Sequence, residues 1–205
     1  MTGCARDAAR TGALTSAGLL ASVFFTGLTI VCTQVSFRLW FTPVPITLQV
    51  MAAILSGLVL GRRLGALSQF QYLVLGAIGL PVFSNGNAGP AALLGPTGGY
   101  IVGFVAGAYV AGLVFEKLQA RSRISAFFAG IAGVAAIYAF GVMWLAVWLG
   151  IVRGQGFAAC LTGAWQLGIV PFIGVDLLKA LAASGLALGG RSVPGLMRAF
   201  PRNNE

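Results

Sequence analysis

One acid and one lysine lie inside an apolar stretch near the end of the chain, where ionisable side chains are costly. Asp176 and Lys179 occur in PFIGVDLLKALAASGLAL. At the centre of a membrane helix each costs about 2.5 to 3.5 kcal/mol on insertion scales. A spacing of three puts both on one helix face, so they can pair with each other or bind the two ends of one small molecule. An ion pair that only fixes helix packing is the alternative, and the sequence leaves both open.

A long loop rich in glycine and amides supplies further polar groups. The segment SNGNAGPAALLGPTGGY, residues 84–100, carries an amide at Asn87, a hydroxyl at Thr97 and a phenol at Tyr100. Glycines such as Gly95 let backbone approach a ligand closely, or they serve only the tight turns of a linker. No Lys followed by Ser or Thr comes after these glycines, so the chain has no phosphate-binding P-loop and cannot hydrolyse ATP by that route.

The residues that commonly carry catalysis are missing from the sequence. Histidine is absent, and the three cysteines show no metal-ligand or redox spacing. A Ser/His or Cys/His pair is therefore excluded. We predict a protein that binds a molecule without converting it, with no catalytic residue, no cofactor and no metal.

The composition predicts a membrane protein. Charged residues make up 8% of the chain and apolar residues 58%, and the mean hydropathy is +0.92, whereas soluble domains are about a quarter charged. The net charge of +9 is spread singly or in small groups between apolar stretches, which excludes a continuous nucleic-acid-binding stripe. With 205 residues there is room for one compact bundle.

Six apolar segments predict an all-α integral membrane protein, a six-transmembrane-helix bundle forming one domain over residues 1–205. The spans must be helical because an open strand would leave backbone groups unpaired in lipid. A short tail, residues 189–205, follows the last span. The predicted spans lie near residues 14–36, 44–60, 64–80, 98–115, 124–150 and 165–188.

The distribution of basic residues predicts the orientation in a prokaryotic cytoplasmic membrane. With both termini in the cytoplasm, every Lys and Arg outside the spans is cytoplasmic except Arg38 and Arg153. Two loops, residues 38–47 and 81–99, then lie on the external side. The first is stiffened by Pro43 and Pro45, and the second is partly apolar, so both can fold over the bundle.

A ladder of small residues lies in the first span. Ala13, Ala17 and Ala21 share one helix face and would let another helix approach closely. The ladder predicts a docking face for a partner protein. Packing inside the bundle is the alternative, because such spacing also arises by chance in an alanine-rich membrane protein.

Four motifs, taken together and in this order, resemble the BioY family. They are FTPVPITLQ at residues 41–49, GLPVF at 79–83, LLGPTGGY at 93–100 and PFIGVDLLKA at 171–180. BioY proteins are the biotin-binding substrate components, or S components, of energy-coupling factor (ECF) transporters. With the six spans, the resemblance covers almost the whole chain.

The resemblance implies a six-helix S component that binds biotin from the external side. Its partners would be a transmembrane coupling protein and two ATPase subunits, and the alanine ladder resembles the face that docks on the coupling protein. The ligand contacts of the family carry over to Asn87, Asp176 and Lys179. Tyr100 and the 95–99 turn, with Gly95 and Thr97, are further candidates for the site.

The chemistry of biotin agrees with these residues. Asp176 can accept a hydrogen bond from a ureido N–H, and Asn87 can donate or accept. Lys179 either neutralises the ligand carboxylate or keeps Asp176 ionised. The alternatives are an S component for another vitamin, a membrane enzyme acting on lipid or isoprenoid substrates, and a purely structural membrane subunit.

Overall fold

The computed structural model describes residues 16–118, 122–154 and 156–191, and it confirms the all-α class. Two short antiparallel strands, β1 (Ser36–Phe37) and β2 (Ile46–Thr47), flank the loop after the first helix, and the loop at residues 81–99 contains a 3₁₀ turn at Ser84–Gly86. The helices are α1 (Ser16–Gln34), α2 (Gln49–Ala77), α3 (Gly89–Leu94), α4 (Gly98–Lys117), α5 (Arg123–Arg153), α6 (Phe157–Gly168) and α7 (Ile173–Arg191).

Helix α2 is broken at Gly61 and folds back on itself. Gly61 has φ 81° and ψ 175°, a conformation open essentially to glycine alone. The side chains of Gln49 and Tyr72 are hydrogen-bonded, although 23 residues of straight helix would separate them by about 35 Å. A Cβ added at Gly65 would lie 2.7 Å from the Cα of Gly57. Residues 49–60 and 62–77 are therefore two antiparallel arms of a helical hairpin.

Within the described residues, α1, α2, α4 and α5 have the length and apolar composition to cross a membrane, and the bent pair α6–α7 is a fifth candidate. The reversal at Gly61 divides α2 into two shorter arms, so α2 does not cross as one straight helix. The six segments predicted from sequence correspond in order to α1, the two arms of α2, α4, α5 and the α6–α7 pair. The last prediction, residues 165–188, missed a break: α6 ends at Gly168 and α7 begins at Ile173, with a 55° bend between them. The predicted tail lies outside the described residues from 192 onward.

Glycines bring α4 close to both of its neighbours. A Cβ added at Gly107 would lie 2.9 Å from the carbonyl oxygen of Gly133 on α5. A Cβ at Gly112 would lie 2.6 Å from the Cα of Arg62, at the turn of the α2 hairpin. Small residues at such contacts let helix backbones approach closely in a membrane. α4 thus lies between α2 and α5, and all three helices contribute residues to the cavity described below.

A polar interface joins α1 to the two arms of α2. Gln69 is fully buried, and its Nε2 donates to Thr29 Oγ1 at 3.1 Å and to Ser56 Oγ at 3.3 Å. Thr26 Oγ1 donates to the carbonyl oxygen of Ser68 at 2.9 Å. No buried side-chain nitrogen or oxygen in the described part of the chain lacks a hydrogen-bond partner. We call these five residues, Thr26, Thr29, Ser56, Ser68 and Gln69, the polar interface.

Candidate functional site

A cavity lies among the first loop, α2, α4, α5 and α7. The empty space within it, including its open mouth, is about 540 Å³. Apolar and polar side chains both contribute to its wall. The lining residues are Val44, Pro45, Ile46, Thr47, Gln49, Val50, Ser84, Thr97, Tyr100, Ile101, Phe104, Tyr138, Gly168, Phe172, Asp176 and Lys179.

Asp176 and Lys179 meet in the cavity wall on one face of α7. Lys179 Nζ lies 2.7 Å from Asp176 Oδ1, and the two residues are only 7% and 3% exposed. Asp176 occupies the first turn of α7, where the helix dipole favours a negative charge. The sequence prediction that these two residues share a helix face is correct, and both residues line the cavity.

Tyr138 contributes a third polar group that sequence reasoning missed. It lies within the apolar helix α5, and its hydroxyl donates to Asp176 Oδ2 at 2.6 Å. Asp176 thus has a partner on each carboxylate oxygen. In the sequence, Tyr138 is indistinguishable from an aromatic residue that only packs. One signal was available. A buried tyrosine hydroxyl usually finds a hydrogen-bond partner, and Asp176 was the one carboxylate inside an apolar span of the sequence.

Tyr100 and Thr97, both predicted from the loop motif, line the cavity. The Tyr100 hydroxyl donates to the carbonyl oxygen of Gly168 at 3.0 Å. A Cβ at Gly141 would overlap the Tyr100 ring, so glycine at that position makes room for the aromatic side chain. Gly95 lies outside the lining, and its carbonyl oxygen accepts from Trp144 Nε1 at 2.8 Å.

Asn87 lies apart from the other predicted site residues. It is exposed, and its Nδ2 donates to the carbonyl oxygen of Ser84 at 2.9 Å. Asn87 does not line the cavity, whereas Ser84 and Thr97 of the same loop do. In this conformation Asn87 stabilises the turn of the loop, and a direct contact with a bound molecule would require the loop to move.

The FTPVPITLQ motif supplies cavity residues to which the sequence assigned no role. Gln49, at the start of α2, is buried and donates from Nε2 to Thr33 Oγ1 of α1 at 2.8 Å. Its Oε1 accepts from Thr47 Oγ1 at 2.9 Å. Pro43 and Pro45 restrict the backbone of this segment, and Val44, Ile46 and Thr47 line the cavity.

Only part of the predicted alanine ladder lies on the surface. Ala17 is exposed and Ala21 is half-buried, whereas Ala13 lies outside the described residues. Further along α1, Phe25 and Thr29 are buried. The accessible part of this face therefore ends near Ala21.

Comparisons with known proteins identify the family. The sequence model of the BioY family matches residues 7–195. "Biotin transporter BioY" of Thermotoga maritima is 41% identical over 170 residues, covering 83% of this chain and 93% of that protein. "Probable biotin transporter BioY" of Pyrococcus horikoshii is 42% identical over 159 residues, covering 78% and 86%. "Biotin transporter BioY" of Rhizobium etli is 40% identical over 162 residues, covering 76% and 80%.

The fold agrees with a solved structure as well as with these sequences. The crystal structure of the S-component for biotin from an ECF-type ABC transporter superimposes with a TM-score of 0.75 at 26% identity, over 98% of this chain and 99% of the other. The names of these relatives describe transporters and a transporter component, which agrees with the prediction that the chain is not an enzyme. Sequence and fold together show that this multi-pass membrane protein belongs to the BioY family.

Proposed function

We propose that this chain binds biotin in the cavity beside Asp176 and serves as the substrate-binding component for biotin uptake. The observation that carries the proposal is a buried ion pair, Asp176 with Lys179, bordering a cavity in a chain that is 41% identical to a biotin transporter over 83% of its length. Biotin is the transported ligand and undergoes no chemical conversion.

The two kinds of cavity wall fit the two parts of biotin. Asp176 is an acceptor for a ureido N–H, and Lys179 keeps two N–H donors beyond the one engaged by Asp176. Ile101, Phe104 and Phe172 supply apolar surface for the thioether ring and the alkyl chain. Because the lysine and the acid pair directly, both act on the same end of the ligand, the ureido ring. The ligand carboxylate then lies toward Thr97 and Ser84.

The loop that carries Asn87 closes the site in this proposal. Asn87 is exposed and bonded within its own turn, so it reaches biotin only after residues 81–99 fold further over the cavity. Closure would exclude water and strengthen every polar contact in the site. Gly95 supports this loop through its bond with Trp144, and Tyr100 forms the wall beneath it.

Ligand-induced thermal stabilisation of the detergent-solubilised protein tests the proposal. A ligand at 100 times its Kd stabilises the folded state by about 2.7 kcal/mol. Biotin should therefore raise the Tm in a saturable way, whereas thiamine and riboflavin at the same concentration should not. Equal stabilisation by another vitamin would support the rival S component, and no stabilisation by any of them would contradict a vitamin-binding role.

The partners we propose are a transmembrane coupling protein and two ATPase subunits. The chain has no P-loop, so ATP-driven transport needs other subunits, and the solved relative belongs to an ECF-type ABC transporter. We assign docking on the coupling protein to the ladder Ala13, Ala17 and Ala21, of which Ala17 is exposed.

A bulky residue on this face should block ATP-driven uptake without affecting biotin binding. Ala17→Trp or Ala21→Trp places a large side chain where close helix approach is proposed. Val23→Trp is a matched control, because Val23 is exposed on the face of the same helix opposite Ala21, at 100° per residue. Equal loss of binding and uptake in the Ala21 variant would show that the ladder packs inside the bundle.

Both termini are proposed to be cytoplasmic, with residues 81–99 outside. The single substitutions Asn85→Cys and Ser122→Cys, both at exposed positions, test this orientation in a background without Cys4, Cys32 and Cys160. An impermeant thiol reagent added to intact cells should label the Asn85→Cys variant alone. Labelling of both variants, or of the Ser122→Cys variant alone, would contradict the orientation.

A further inference from the structure

Tyr138 stands out among the cavity residues because the direction of its hydrogen bond is fixed. Its hydroxyl lies 2.6 Å from Asp176 Oδ2, and Asp176 forms an ion pair with Lys179 at 2.7 Å. An ionised carboxylate only accepts hydrogen bonds, so the hydrogen of the Tyr138 hydroxyl must point at Asp176. The hydroxyl therefore has no donor left to offer to a molecule in the cavity.

The oxygen of Tyr138 keeps the ability to accept a hydrogen bond. A phenolic oxygen is both donor and acceptor, and no second hydrogen bond to it is found within residues 16–118, 122–154 and 156–191. Tyr138 lines the cavity, and the residue is 8% exposed. Two acceptors therefore lie side by side in this wall, the Tyr138 oxygen and the spare lone pairs of Asp176.

We propose that Tyr138 is a specificity-determining residue, whose hydroxyl oxygen accepts a hydrogen bond from a ureido N–H of the ligand while the hydroxyl donates to Asp176. This inference deepens the proposed function and depends on it. A ligand with an N–H at this position completes a chain of hydrogen bonds from ligand to tyrosine to carboxylate. A ligand with a carbonyl, ether or N-methyl group there leaves a buried acceptor facing an acceptor or a methyl group, which is costly in a dry site.

The test compares biotin with three analogues on the wild-type protein and on Tyr138→Phe. The analogues are the two isomers of biotin that carry a methyl group on one ureido nitrogen, and desthiobiotin, which keeps both N–H groups. Tyr138→Phe removes the hydroxyl and retains the ring, so the shape of the cavity is preserved. Tyr109→Phe is the matched control, because Tyr109 is exposed on α4 and does not line the cavity.

We expect the Kd for biotin to rise about tenfold or more in Tyr138→Phe. This is the effect of losing one hydrogen bond to a hydroxyl that itself donates to the charged Asp176 carboxylate. The affinity for one of the N-methyl isomers should fall much less on the same substitution. The ratio of the Kd for that isomer to the Kd for biotin therefore decreases. The ratio of biotin to desthiobiotin should stay constant. A purely structural role of the hydroxyl would lower affinity for all ligands by one factor and leave every ratio unchanged.

Equal weakening of biotin and both N-methyl isomers, or no weakening at all, would overturn the proposal. If Tyr138→Phe fails to fold, the wild-type protein alone decides. A methyl group on either ureido nitrogen that changes the Kd less than about threefold would then show that the ligand N–H needs no acceptor in this wall, which would overturn the proposal. Failure of the wild-type protein to bind biotin would instead contradict the proposed function itself.

Discussion

Two regions of this protein bury polar side chains, and they differ in what those side chains leave unused. In the polar interface, Gln69 and its neighbours bond to one another and to backbone carbonyls, and they pack α1 on the α2 hairpin. In the cavity, Asp176 is held by Tyr138 and Lys179 but faces open volume. The buried polar side chains therefore serve helix packing in one region and, by our proposal, ligand recognition in the other.

The difference shows that burial of a polar residue is not enough to identify a binding site. All members of the polar interface are at most 3% exposed, which is as buried as Asp176. What distinguishes Asp176 and Lys179 is full charge, spare hydrogen-bonding capacity and an adjacent cavity. The comparison predicts that substitutions in the cavity change biotin binding, whereas substitutions in the polar interface change stability alone.

The largest effect is expected for Lys179→Met. The variant leaves the buried Asp176 charge without its partner, which should destabilise the fold by about 3 to 5 kcal/mol. Adding Asp176→Asn should restore much of this stability, because no charge remains unpaired, but it should not restore biotin binding. Unfolding in a titration with SDS measures the stability of both variants. Equal stability of the single and double variants would show that an unpaired Asp176 charge is not what destabilises Lys179→Met.

A smaller effect, confined to stability, is expected for Gln69→Leu. The substitution removes a fully buried amide whose Nε2 carries two N–H donors and lies within hydrogen-bonding distance of three hydroxyl oxygens, so the loss should be about 1 to 3 kcal/mol. The Kd for biotin should remain that of the wild type. Gln166→Leu is a matched control, because Gln166 is exposed on α6 and surface changes usually fall within about 0.5 kcal/mol. A tenfold weaker affinity for biotin in Gln69→Leu would show that the polar interface also affects ligand binding, which contradicts the comparison of the two regions.

The smallest effect is expected for Glu116→Gln, on α4 beside the turn of the α2 hairpin and outside both regions. Glu116 Oε2 lies 3.3 Å from Arg62 Nε, and the two side chains are 45% and 38% exposed. Solvent screens such a pair, so the variant should lose less than about 1 kcal/mol. The Kd for biotin and the Tm should change little. A loss as large as that of Gln69→Leu would show that the turn itself holds the hairpin together.

The sequence predicted the membrane class, the order of the helical segments and the Asp176–Lys179 pair, because each follows from apolar length or from charge in an apolar segment. The bend at residues 169–172 was missed because the apolar composition continues through it, although Pro171 was an available signal, since helices usually end before a proline. Tyr138 was missed because a tyrosine in an apolar helix has the pattern of a packing residue. The position of Asn87 depends on the conformation of a glycine-rich loop, which composition leaves undetermined.

The polar interface was also invisible in the sequence, for a different reason. Thr29 and Gln69 are separated by 40 positions, and their meeting depends on the reversal of α2 at Gly61. The sequence predicted a division here, between spans near residues 44–60 and 64–80, but not which faces of those spans meet α1. Only the three-dimensional fold shows that these side chains pair with one another and not with a ligand.

Titration of biotin against folded, monodisperse wild-type protein and Asp176→Asn tests the central claim most directly. Isothermal titration calorimetry in detergent should show one saturable site in the wild type. The Asn variant loses the charge-assisted acceptor, so its affinity should fall by about 1.5 to 3 kcal/mol, which is roughly tenfold or more. Unchanged affinity in Asp176→Asn, or no binding of biotin to the wild-type protein, would contradict the assignment of this cavity as the biotin site.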